Sequence, residues 1–157
     1  MAKPASPLIE ETRQSNNSAD SHLLTCGEQE RAIVQGIQSF WFRHLSHRPQ
    51  RITCQLFSNS VAIVIEDSVT LPEQFLVTRD KAATAQMARQ AIHKFLRPQL
   101  SVLLEKILGT KVLVLFCDTT LAEKCTGVVA VLAQSPAVRN PESIPKSTSK
   151  RKPILGD

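Results

Sequence analysis

Residues 51–66 read Arg51-Ile-Thr-Cys-Gln-Leu-Phe57, Ser58-Asn59, Ser60-Val-Ala-Ile-Val-Ile-Glu66, two runs rich in β-branched and apolar residues around a pair of turn formers. This pattern predicts a β-hairpin. In the first strand Ile52, Cys54 and Leu56 alternate with Arg51, Thr53 and Gln55, as expected of a sheet with one covered and one more polar face. The second strand is apolar almost throughout and is expected to lie nearer the centre.

A helix is predicted before the hairpin. Thr25 and Glu28 have the spacing of a capping box, in which each side chain satisfies the other's free backbone N–H. Ile33, Ile37, Phe40, Trp41 and Leu45 then recur at three- and four-residue steps along one face. Pro49 disfavours helical geometry at Arg48 and ends the element by about residue 46.

Beyond the hairpin, Thr70-Leu71-Pro72-Glu73 repeats the capping pattern and starts another helical turn, where a proline is tolerated. The segment from about Arg79 to Leu108 is expected to be the main helix on the sheet, with Ala88, Ile92, Phe95, Leu96, Leu103 and Ile107 on one side. Pro98 should kink or split it, and Gly109 should end it. Two apolar runs, Lys111–Cys117 and Thr126–Ala133, supply the last strands. The order α-β-β-α-β-β predicts an α+β two-layer sandwich: a four-stranded, mainly antiparallel sheet with both helices on one face. Phe57, Val61, Ile63 and Val128 are expected to make the other face adhesive, which leads to the expectation of a homodimer.

One domain, residues 23–135, is expected between flexible tails at 1–22 and 136–157, both rich in Ser, Asn, Pro and Lys. The chain has 157 residues and a net charge of +5. That charge is uneven: +3 in the domain, −1 in the N-terminal tail and +3 in the C-terminal tail. With one Trp, six Phe and no Tyr there is little to build a base-stacking platform from. No apolar run reaches the roughly 20 residues of a bilayer span, and residues 1–22 lack the apolar core of a secretory signal, so a cytoplasmic location is expected. Cys26, Cys54, Cys117 and Cys125 have no CxxC spacing and are expected to be buried, unreactive thiols.

The ordered features Pro49, Thr70-x-x-Glu73-x-x-Leu76, Arg89, Arg97-Pro98-x-Leu100, Leu104-Glu105-x-x-Leu108-Gly109-x-x-Val112 and Asp118-Thr119 resemble the MpsC or YbcI-type family of Na+-translocating membrane potential-generating system proteins, over about residues 27–133. The family turn resembles Gly-Arg-Gly-Pro, and here Ser46-His47-Arg48-Pro49 stands in its place. The resemblance implies a companion of ion or inorganic-carbon transport machinery, with a membrane transport component as its protein partner. Without a span of its own the chain cannot be the ion path.

Arg89 is the most informative single residue. It falls within about 40° of the centre of the predicted apolar stripe, so its guanidinium must snorkel to solvent, find a carboxylate, for which Asp118 and Glu66 are the candidates, or bind an anion such as bicarbonate or phosphate. No cofactor or metal site is expected. His44 and His47 supply two ligands where zinc needs three or four. No nucleophile elbow, phosphate loop, HExxH or dinucleotide fingerprint occurs, so an enzyme is not expected. The function expected is a non-enzymatic accessory or regulatory protein acting by association. The alternative is nucleic-acid binding through Arg43, His47, Arg48 and Arg51 together with the basic arm Lys146, Lys150, Arg151 and Lys152.

Overall fold

In the structure, a computed structural model describing residues 22–146, the Thr25 capping box forms as the spacing predicts. The Glu28 N–H donates to Thr25 Oγ1 at 3.2 Å, and Glu28 Oε2 accepts from the Thr25 N–H at 2.7 Å. Helix α1 runs Cys26–Leu45 and buries Ile33, Ile37, Phe40 and Trp41. It ends at Ser46, whose φ of 51° is left-handed. A Cβ makes that conformation costly and glycine relieves it. Ser46→Gly, the residue type of the family turn, is therefore expected to raise stability by about 0.5–1 kcal/mol, read as a shift in the urea midpoint at unchanged slope.

Strands β1 (Arg51–Phe57) and β2 (Ser60–Glu66) form the hairpin in the register Arg51↔Glu66 to Phe57↔Ser60. The chain then crosses the sheet through α2 (Leu71–Thr78) and α3 (Ala82–Leu108) before β3 (Val112–Thr120) and β4 (Cys125–Leu132). The strand order is β1-β2-β4-β3 and every neighbouring pair is antiparallel. The expected α+β class and four-stranded antiparallel sheet are what forms, with three helices in place of two.

Helix α3 is continuous through Pro98 and is capped by Gly109 at φ 66°, whose N–H donates to the Glu105 carbonyl. The proline is tolerated because it lies on the exposed side of the helix, where water can serve the carbonyl it leaves without a donor. The buried face is Ala85, Arg89, His93, Leu96, Leu100, Leu104 and Leu108. This corrects the predicted stripe: Phe95 is 61% exposed and Ile92, Leu103 and Ile107 only flank the core. The outer side of α3 also carries Met87, Phe95 and Val102, so the helical period alone supported two faces.

The open face of the sheet also differs from expectation. Val61, Ile63 and Val128 point under the helices and are buried, with Leu56, Ile65, Ala130 and Leu132 beside them. A continuous apolar strand has no alternation to orient it, and the pairings Val61↔Ala130 and Ile63↔Val128 turn these residues inward. Residues 136–146, expected to be flexible, are instead docked on the domain. Val138 and Ile144 enter the core, Asn140 Oδ1 accepts from the Cys26 N–H at 2.7 Å, and the Pro145 carbonyl accepts from the Ser58 N–H at 3.0 Å.

Candidate functional site

Six of the eight buried polar residues among the described ones, Ser68, Glu73, Arg89, His93, Thr119 and Thr126, gather where the turn after β2 meets all three helices. Ser68 is wholly buried in that turn. Its carbonyl accepts from Trp41 Nε1 of α1 at 3.0 Å and from Arg89 Nη2 of α3 at 3.3 Å. Its hydroxyl lies 2.6 Å from Thr126 Oγ1, which lies 2.6 Å from Thr119 Oγ1, which in turn lies 2.9 Å from His93 Nε2. Arg89 and His93 are one helical turn apart, so α3 presents both to this cluster.

Arg89 is 0% exposed and pairs with Glu73 Oε2 in the first turn of α2. The same oxygen accepts from the Thr70 N–H at 2.9 Å and from Thr70 Oγ1 at 2.6 Å, so the cap of α2 is also the counter-ion of α3. This corrects the expected partners. Glu66 and Asp118 occupy open-face positions of β2 and β3, on the far side of the sheet from Arg89. Glu66 pairs there with Arg51, and Asp118 Oδ1 accepts from the Thr119 N–H at 2.9 Å. Arg89 Nε and Nη1 and Glu73 Oε1 have no hydrogen-bond partner among the described residues.

Chemically the cluster holds parts together. Burial, followed by the positive charges of Arg89 and Arg97, pushes the His93 pKa down to about 4, so the ring is neutral at pH 7. Burial also raises the thiols of Cys54 to about 12 and Cys117 to about 11, which keeps both protonated and poorly nucleophilic. All four cysteines are free, and none is paired in a disulfide. Among the described residues no group of three or more His, Cys, Asp or Glu is arranged to hold a metal ion. His44 packs against Phe40 with the rings tilted by 53° and 4.4 Å between ring centres, and His47 Nε2 lies 2.6 Å from the Asp67 carbonyl.

The basic residues of the α1–β1 region are largely engaged. Arg51 pairs with Glu66, His47 lies 4.0 Å from the Asp67 carboxylate, and Arg48 stacks 4.4 Å over the Phe42 ring. Arg43 is exposed. Acidic neighbours thus offset much of the positive field a polyanion would meet here. Lys146 is exposed, and Lys150, Arg151 and Lys152 lie outside the described residues.

One face of the sheet is left to solvent, the side away from the helices. Across the four strands its rows read Thr53-Val64-Gly127-Asp118, then Gln55-Ala62-Val129-Phe116, then Phe57-Ser60-Val131-Val114. Phe116 is 61% exposed, and Phe57, Val64, Val114 and Val129 are each more than 40% exposed. A bulge between Val112 and Val114 in β3 leaves Leu113 exposed beside them. The sheet edges are better guarded. Glu30 Oε1 accepts from the Leu56 N–H of β1 at 2.8 Å, and Arg97 Nη2 donates to the Cys117 carbonyl of β3 at 3.0 Å.

The family model described as Na+-translocating membrane potential-generating system (MpsC) matches residues 25–134, from the cap of α1 to just past β4. The chain belongs to the MpsC family. No curated protein and no solved structure matches this MpsC chain. Among its described residues no helix is long and apolar enough to cross a membrane. The match ends before residues 136–146, so the Val138 and Ile144 anchors lie outside the part shared with the family model.

Sequence reasoning singled out Arg89 but missed Ser68, Glu73, His93, Thr119 and Thr126 as its companions. One signal was present: Thr119 and Thr126 are polar residues at inward positions of otherwise apolar strands. Such positions are filled by residues with buried partners.

Proposed function

We propose that this MpsC-family chain is a non-enzymatic accessory or regulatory protein of the cytoplasm that acts by protein association in the Na+-translocating, membrane-potential-generating system its family is named for, with ion or inorganic-carbon transport as the process served. The observation that carries this reading is the open sheet face, a contiguous apolar surface from Phe57 to Phe116 that has no covering layer among the described residues. Patches of this kind mark interaction surfaces on otherwise polar exteriors. The enclosure of the polar cluster supports the non-enzymatic part, since Arg89, Glu73 and His93 are all at most 3% exposed and present no group to a substrate.

The test is physiological. Cells lacking the chain are expected to lose membrane potential, read with a potential-sensitive dye, and to recover it with the wild type but not with Val129→Asp. An unchanged potential on deletion overturns the accessory role. Full recovery with Val129→Asp overturns the role of the sheet face.

A further inference from the structure

The same face suits one occupant in particular, and we propose that two copies of the chain pack sheet on sheet about a two-fold axis parallel to the strands. The inference rests on the association reading above and names the partner that covers the surface. Each edge strand has a backbone group already taken by a side chain, the Leu56 N–H of β1 by Glu30 and the Cys117 carbonyl of β3 by Arg97, which disfavours strand addition there and turns attention to the face itself.

Its size is at the low end of specific interfaces. Four strands about 4.8 Å apart and seven residues at about 3.3 Å each give a footprint of about 440 Å². Two such faces approach the roughly 1,000 Å² that separates specific interfaces from incidental contacts, before the relief of the side chains is added. The centre is Ala62, Val64, Val129 and Val131, flanked by Thr53, Gln55 and Phe57 on β1 and by Val114, Phe116 and Asp118 on β3.

The flanks select the axis. β1 carries Arg51, Thr53 and Gln55, and β3 carries Asp118 and Thr120 at the same end of the sheet. An axis along the strands lays β1 over β3 of the second copy with the rows in register. Thr53 then faces Asp118 across the interface, one row from Arg51, which Glu66 already engages within its own sheet, and the symmetric contact repeats on the other side. An in-plane axis across the strands would lay β1 over β1 with the rows inverted, placing the charged Arg51 over Phe57 and Asp118 over Phe116, so that charged groups lie on apolar ones. Aligned sheets cross at about −30°, which leaves these neighbours within reach.

Sedimentation equilibrium on the purified full chain tests both parts. The wild type is expected to be a dimer, and Val129→Asp and Phe116→Ser are expected to be monomers whose thermal melts show them folded. For the axis, Thr53→Lys is expected to tighten the dimer roughly threefold to tenfold and Thr53→Glu to weaken it by a similar factor, with both effects fading in 1 M salt. Thr53→Glu combined with Asp118→Lys should reverse that loss and bring the dimer into the tightened range of Thr53→Lys, since it rebuilds the same charge pair with the signs exchanged. A wild type that is monomeric at every concentration, dimers that survive both face substitutions, or Thr53→Lys and Thr53→Glu acting alike would each overturn the proposal. A monomer in cells whose potential still depends on the chain would overturn the dimer and leave the accessory role. A dimer whose deletion leaves the potential unchanged would do the reverse.

Discussion

Glu73→Ala is expected to remove about 3–5 kcal/mol of unfolding free energy, a large share of the roughly 5–15 kcal/mol that a domain of this size holds. The substitution leaves the Arg89 guanidinium with no counter-charge at a position that is 0% exposed. It also strips the Thr70 N–H and hydroxyl of their acceptor, so the start of α2 loosens at the same time. The double substitution Glu73→Leu with Arg89→Met is expected to recover most of the loss, because an apolar pair removes both buried charges together. Urea denaturation of the single and double variants measures this. A loss under about 1 kcal/mol for Glu73→Ala would mean that water reaches the guanidinium.

The second large effect is on pH. His93 has a folded pKa of about 4, set first by burial and then by Arg89 and Arg97, while Asp118 and Glu73 act weakly in the opposite sense. Its unfolded value is about 6.5. Between these two the unfolded chain binds the proton and the folded chain does not, so stability falls as pH drops from about 6.5 to about 4. The gap corresponds to on the order of 3 kcal/mol. His93→Gln, which cannot titrate, is expected to show a flatter profile over that window. Unfolding free energies at pH 7, 5.5 and 4.5 make the comparison, and parallel wild-type and variant profiles would count against a neutral buried ring.

What could be read before folding was what is local in the chain. The Thr25 box, the Ser58-Asn59 turn and the Gly109 stop each depend on residues a few positions apart, and each forms where the spacing places it. Faces were harder to read. β2 has no polar alternation, and only pairing with β4 decides that Val61 and Ile63 turn inward. α3 bears apolar residues on both sides, so Phe95 looked like core until the packing of α2 and the sheet chose the other side. The partner of Arg89 was hidden because Glu73 already had a local task as a cap, and its second task spans 16 residues. Residues 136–146 have the composition of a linker, and two apolar anchors among prolines and serines leave no periodic trace.

The indole of Trp41, hydrogen-bonded to the Ser68 carbonyl, gives the molecule a built-in optical reporter. With one Trp and no Tyr, emission excited at wavelengths beyond the absorption of the six Phe comes from that single ring. Because the Ser68 carbonyl is shared with Arg89, any event that disturbs the ion pair, whether acid, a substitution or the docking of another protein, should also shift the colour or intensity of that emission. The hidden polar cluster can therefore be followed in real time, in the unlabelled protein.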